Sequence, residues 1–224
     1  MAFMIPVSSD VATQPRIKKH SSSLRLWHWA NTIVISGSLI TVLINSTITN
    51  TRQVSVLIKD QVQKAGAALT NDQARSAAHA LSDKVWDIHT YFGYCLAGLL
   101  LFRLLLEFFQ LADQKFIRKL KSAYTQFNAI KKNRETERHE LAVKMIYAAF
   151  YTLLIIQVIT GLSLAFEDIA FLKPLRHSIK NVHNFCMYLI LAFIVVHLAG
   201  VFLAERKTSK GIVSDMINGG PEKV

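Results

Sequence analysis

The stretch Val182–Arg206, VHNFCMYLILAFIVVHLAGVFLAER, constrains the chain most. It is apolar over the length of about 20 residues that a helix needs to cross a bilayer. It also carries a histidine near each end, His183 and His197, 14 residues apart. At about 1.5 Å and 100° per helical residue, the two lie roughly 21 Å apart along the axis and within roughly 40° of one face. Ionisable side chains inside membrane helices are rare and face the bundle interior, where they mark functional sites. Such a helix can hold a metal centre in each leaflet if other helices supply the partners.

Three further segments reach spanning length, at roughly 24–46, 89–109 and 144–166, and the segment described above runs from about 181 to 203. With 51% hydrophobic residues, the expected class is all-α: an integral membrane four-helix bundle at 24–204 between tails 1–23 and 205–224. The net charge of +11 invites a nucleic-acid reading, but its distribution argues against one. The two tails and the connection between the second and third segments hold 17 basic residues, against eight in the other two connections. The positive-inside rule then places both termini and the 110–143 connection in the cytoplasm, with the bundle in the inner membrane and lipid, not nucleic acid, as its surroundings. Met1–Ser23 is polar, with Pro6 and Pro15, and no cleavage site follows an apolar core, so the first helix is expected to be an uncleaved anchor. Cys95 and Cys186 fall inside segments and read as small packing residues. No C-x-x-C-H is present, which excludes covalent haem attachment.

In chain order, RLWHWAN opens the first helix, with His28 between Trp27 and Trp29, two residues suited to a membrane interface. Asn31 and Ser36–Gly37–Ser38 suit helix packing. Residues 47–88 read as a long outer connection with one or two short surface helices and an N-cap-like Thr70–Asn71–Asp72. The second helix starts near WDIHTYFGY, with His89 at its outer end and Gly93 a turn further in, where a flat macrocycle could approach. Arg103 follows His89 by 14 residues and so repeats the depth step from His183 to His197. It is either a cation for a haem propionate or a quinone, or it snorkels or pairs with Glu107. Residues 110–143 read as largely an interfacial amphipathic helix. The third helix has no histidine but offers Tyr147, Gln157, Thr160 and Gly161. The remaining histidines, His20, His79, His139 and His177, are placed in tails or connections.

With the termini inside, His28 and His197 share the inner depth, and His89 and His183 the outer. Each pair comes from two different helices. Zinc sites want three or four protein ligands, and each level supplies two. Two trans imidazoles complete a six-coordinate haem iron, which favours electron transfer over oxygen chemistry. Bundle cores hold such cofactors. The residue reading is therefore two haem groups on His28, His89, His183 and His197.

The segments RLWHWAN, IHTYFGY with LLLFRLLLEF, VITGLSL, VHNFCMYLILAFIVVH and GIVSDMING resemble the cytochrome b subunit of membrane-bound nickel–iron hydrogenases, within the wider bacterial cytochrome b-561 group. The resemblance implies haem b, with the family's ligand positions falling on His28, His89, His183 and His197. It also implies electron transfer between the quinone pool and an outer, periplasmic-side redox subunit carrying an iron–sulfur or haem centre. The chain would then be the electron-transfer subunit of an oxidoreductase complex. One alternative is a free-standing superoxide:ubiquinone oxidoreductase of the same fold, with Lys84, Lys173, Arg176 and Lys180 drawing the anion to the outer side. Another is a metal or proton permease with histidine relays, which would show no haem absorbance.

Overall fold

The computed structural model describes residues 22–109, 134–166, 169–207 and 211–219. Among them every regular element is helical: α1 (Ser22–Thr47), α2 (Thr51–Lys64), α3 (Asn71–Phe109), α4 (Arg134–Ala165), α5 (Arg176–Lys207) and the short α6 (Ile212–Asn218), with a 3-10 turn at Lys173–Leu175. α1, α3, α4 and α5 each contain a stretch long and apolar enough to span a bilayer. Their outward side chains are those that lipid accepts, among them Ile33, Ile40, Leu101, Leu104, Val195, Val196 and Leu198. This is an integral membrane helical bundle.

Residues Trp27–Ala199 form one compact unit. Its core joins α1, α3 and α4 through Trp27, Leu96, Leu100 and Leu154, flanked by Val34, Ile35, Phe150, Tyr151, Ile155 and Val158. Trp27 is thus a core residue rather than an interfacial one, and its Nε1–H donates to the Leu99 carbonyl at 3.0 Å. Trp29, two residues on, is exposed. Extended close approach of backbones occurs only for α2 with α3 and α3 with α4 among the described residues. α5 meets its neighbours through side chains: Phe193 stacks on Phe150 with ring centroids 4.5 Å apart, and Cys186 and Ile190 are buried. Cys95, also expected to be a packing residue, is exposed.

Gly37 of α1 lies against Phe92 of α3. A Cβ built there would run into the Phe92 ring, so a larger residue would have to push that ring aside. Gly37→Val should cost about 1–3 kcal/mol, the usual penalty for overpacking, and lower the unfolding midpoint followed by circular dichroism. Near the end of α1 the same two helices are tied by a polar group: Asn45 Oδ1 accepts from Ser82 Oγ at 3.2 Å, and also from Thr49 Oγ1 just beyond α1 at 2.5 Å.

The connection at 47–88 holds a short helix, α2, and a helix start capped by Thr70, as expected, but that second helix is continuous with the spanning one. α2 stops in a glycine cap, with Gly66 at φ 81° and the Gly66 and Ala67 N–H groups donating to Gln63 and Val62. α3 then starts at Asn71 and runs unbroken through His89. Thr70 and Gln73 make a capping box: Thr70 Oγ1 accepts from Gln73 N–H at 3.2 Å, and Gln73 Oε1 accepts from Thr70 N–H at 2.9 Å. No Pro or Gly intervenes before Gly93, so nothing stops the helix at the membrane boundary. His79 therefore sits on a helix, exposed, and not in a loop. α4 also begins earlier than expected, at Arg134. Of the 110–143 connection, expected to be largely an interfacial helix, residues 110–133 lie outside the described residues, as does His20, and the rest belongs to α4.

The described residues flanking this unit form a second one. There the Glu205 carboxylate accepts from Gly211 N–H at 2.7 Å and Val213 N–H at 3.4 Å, at the start of α6. Arg25 Nη1 donates to the Ile217 carbonyl at 2.7 Å, near the end of α6.

Candidate functional site

Four histidines on three helices meet in two pairs. His28 on α1 and His197 on α5 have ring centroids 6.3 Å apart, with planes at 63°. His89 on α3 and His183 on α5 have centroids 6.4 Å apart, with planes at 82°. α5 supplies one member of each. Among the described residues no three His, Cys, Asp or Glu side chains converge, which leaves a zinc site short of ligands. Two imidazoles on opposite sides of one iron would place centroids about 6.3 Å apart, from metal–nitrogen bonds of about 2 Å and a centroid about 1.15 Å beyond each nitrogen. Both pairs have that spacing.

The pair of His89 and His183 is held by hydroxyl groups. Thr41, buried on α1, places Oγ1 at 2.9 Å from His89 Nδ1, and the Ser38 carbonyl lies 3.3 Å from the same nitrogen. On α4, Thr160 Oγ1 lies 3.0 Å from His183 Nδ1. The Gln157 amide nitrogen sits 3.1 Å from His183 Nε2, while its Oε1 is buried without a hydrogen-bond partner. A metal taking the Nε2 lone pair would displace this half-satisfied amide. Gly161 gives the His183 ring its place, since a Cβ there would stand 3.2 Å from Cε1. A Cβ at Gly93 would meet nothing within 4 Å, so that space lies open. Trp86 packs edge-on to His89 at 5.3 Å and is itself partly exposed.

The pair of His28 and His197 is framed by aromatic rings. Phe193 lies parallel to His197 at 5.9 Å, and Trp29 meets His28 edge-on at 5.6 Å. Next to His28 in the chain, Trp27 stacks on Tyr151 at 5.7 Å. Arg103 joins that stack: its Nε donates to Tyr151 Oη at 3.2 Å, and its guanidinium carbon is 6.0 Å from both ring centroids. The guanidinium thus lies among aromatic groups beside the residue preceding His28, a placement that offsets part of its burial through cation–π attraction. The Glu107 and His139 side chains lie outside the described ones. Tyr147 and His177 are exposed and apart from both pairs.

Thr41 was not singled out in the sequence. The only available signal was its place 13 residues after His28 on the same helix, which says nothing without the neighbouring helix. Tyr151 was missed likewise, because aromatic residues are common throughout these spans.

The prokaryotic cytochrome b561 family matches residues 19–219, nearly the whole chain and all four histidines. The chain belongs to the prokaryotic cytochrome b561 family. It is accordingly a membrane cytochrome b, of a family that binds haem b and serves electron transfer. Searches of curated proteins and of solved structures returned no match.

Proposed function

We propose that this cytochrome b carries two haem b groups, one on His28 and His197 and one on His89 and His183. It moves electrons between a redox subunit on the outer side and quinone near the inner side. The observation that carries this reading is the spacing of the two histidine pairs, 6.3 and 6.4 Å between centroids, with α5 shared by both. Bound in this way, each group supplies a one-electron couple with no open coordination position. The chain's own contribution is ligation by the four imidazoles, orientation of the outer ones by Thr41 and Thr160, and a positive charge from Arg103 on the inner side. The side chains of α1, α3, α4 and α5 exclude water from the path between them. A nickel–iron hydrogenase-like assembly on the periplasmic side is the partner class that fits the sequence resemblance.

A pyridine haemochrome count and a reduced-minus-oxidised spectrum on the purified protein test the reading. Two haems b per chain are expected. None would favour a permease, and one would overturn the paired arrangement. The superoxide-oxidising alternative draws support from Lys173 and Arg176, both exposed, which line a small recess with Ser163, Leu164 and Leu172. Lys84 pairs with Asp87 at 3.4 Å. Co-purification with a large redox subunit favours the relay. Superoxide-dependent quinone reduction by the isolated chain favours the alternative.

The orientation follows from the basic residues and has both termini in the cytoplasm of a cell whose inner membrane holds the protein. A reporter fused after Val224 should be active only if it functions in the cytoplasm. Activity of a reporter that needs the outer compartment would exchange the inner and outer assignments.

A further inference from the structure

Both outer histidines receive the same treatment from opposite sides. Thr41 Oγ1 donates to the Ser38 carbonyl at 2.6 Å, which leaves its lone pairs for a proton on His89 Nδ1, 2.9 Å away, and the Ser38 carbonyl, an obligate acceptor, lies 3.3 Å from the same nitrogen. Thr160 Oγ1 donates to the Ile156 carbonyl at 2.7 Å, which leaves its lone pairs for a proton on His183 Nδ1, 3.0 Å away. This arrangement favours a proton on Nδ1 of each ring and leaves the Nε2 lone pair for a metal. The Gln157 amide beside His183 Nε2 is consistent with this, since it donates to that lone pair. The inner rings differ: among the described residues they meet Trp29 and Phe193, and no hydrogen bond reaches a nitrogen of either. A hydrogen bond accepted from the far nitrogen of a ligating imidazole fixes its orientation and raises its basicity. A more basic ligand favours ferric over ferrous iron and lowers the midpoint potential.

We propose that Thr41 and Thr160 are positioning residues that set the outer couple below the inner one, so that electrons run from the outer side inward. This rests on the two-haem reading given above. Arg103, on the inner side, acts in the same sense, because a nearby cation favours the reduced form there. The step is a single electron: the outer couple is oxidised by one, the inner is reduced by one, and the two Nδ1 protons stay where they are. The reductant is the outer redox subunit and the final acceptor is quinone.

The test is a redox titration of the purified holoprotein, with the outer component identified as the one lost in His89→Ala. In the wild type the outer component should titrate below the inner. T41V and T160V should each raise the outer midpoint, the double variant should raise it further, and the inner midpoint should not move. T41S and T160S keep the accepting oxygen and should titrate as wild type. If a valine variant sheds the outer haem, retention with a wild-type midpoint in the matching serine variant supports the positioning role, and the wild-type order still decides the direction. An outer midpoint above the inner one in the wild type, or one unmoved in T41V/T160V with both haems bound, overturns the proposal. A wild type with fewer than two haems overturns the two-haem reading itself, an outcome visible before any variant is made.

Discussion

His28→Ala and His197→Ala should abolish one and the same haem component, and His89→Ala and His183→Ala the other. Each alanine removes one of the two imidazoles that would hold the group. The expected result is loss of the corresponding low-spin signal and about half of the haem per chain, or a high-spin remnant where the group is retained. Redox titration resolves the two components. The geometry behind this is the centroid separation of 6.3 Å for one pair and 6.4 Å for the other. Loss of a common component in His28→Ala and His183→Ala would refute the pairing, whatever the haem count.

Arg103→Gln should lower the midpoint of the inner component and leave the outer one in place. The guanidinium sits 6.0 Å from the centroids of Trp27 and Tyr151, and Trp27 is next in the chain to His28, a proposed ligand of the inner group. A nearby unit charge in a partly buried setting should shift a one-electron midpoint by on the order of tens of millivolts. Its sign follows from the iron, which is less positive when reduced, so removing a cation disfavours reduction. Arg103→Lys keeps the charge but loses the planar fork, and should shift the midpoint less. Quinone reduction should slow in Arg103→Gln while the outer component stays reducible. An unchanged inner midpoint with haem content intact would leave Arg103 as a packing partner of Trp27 and Tyr151 only.

The membrane helices were legible because lipid demands a long apolar run, and α5 with its two histidines is as plain in the sequence as in the structure. Their ends were less legible for the same reason. Hydropathy reports the lipid-facing length and is blind to the polar continuation of α3 from Asn71 to the membrane, although Thr70 and Gln73 already spell its cap. The histidine pairing by depth follows from counting residues along helices of known direction, and the structure brings the same four rings together two by two. What counting could not give is azimuth. Gln157, Thr160 and Gly161 stood out on an otherwise apolar helix, but that they meet His183 depends on how α4 is rotated against α5. The partner of Arg103 was sought along its own helix, whereas Tyr151 reaches it from α4.

The core of Trp27, Leu96, Leu100 and Leu154, with its flanking side chains, draws on α1, α3 and α4 and takes nothing from α5. The helix that provides half of the proposed ligands packs instead through Phe193 on Phe150 and through Cys186 and Ile190. Any group that bridges α5 to α1 and α3 adds to that packing and stabilises the folded state in proportion to its occupancy. In a cell, newly inserted chains would lack this contribution until haem arrives, and would meet membrane proteases in the meantime. The amount of this protein in the membrane should therefore follow the haem supply, even where synthesis of the polypeptide is constant.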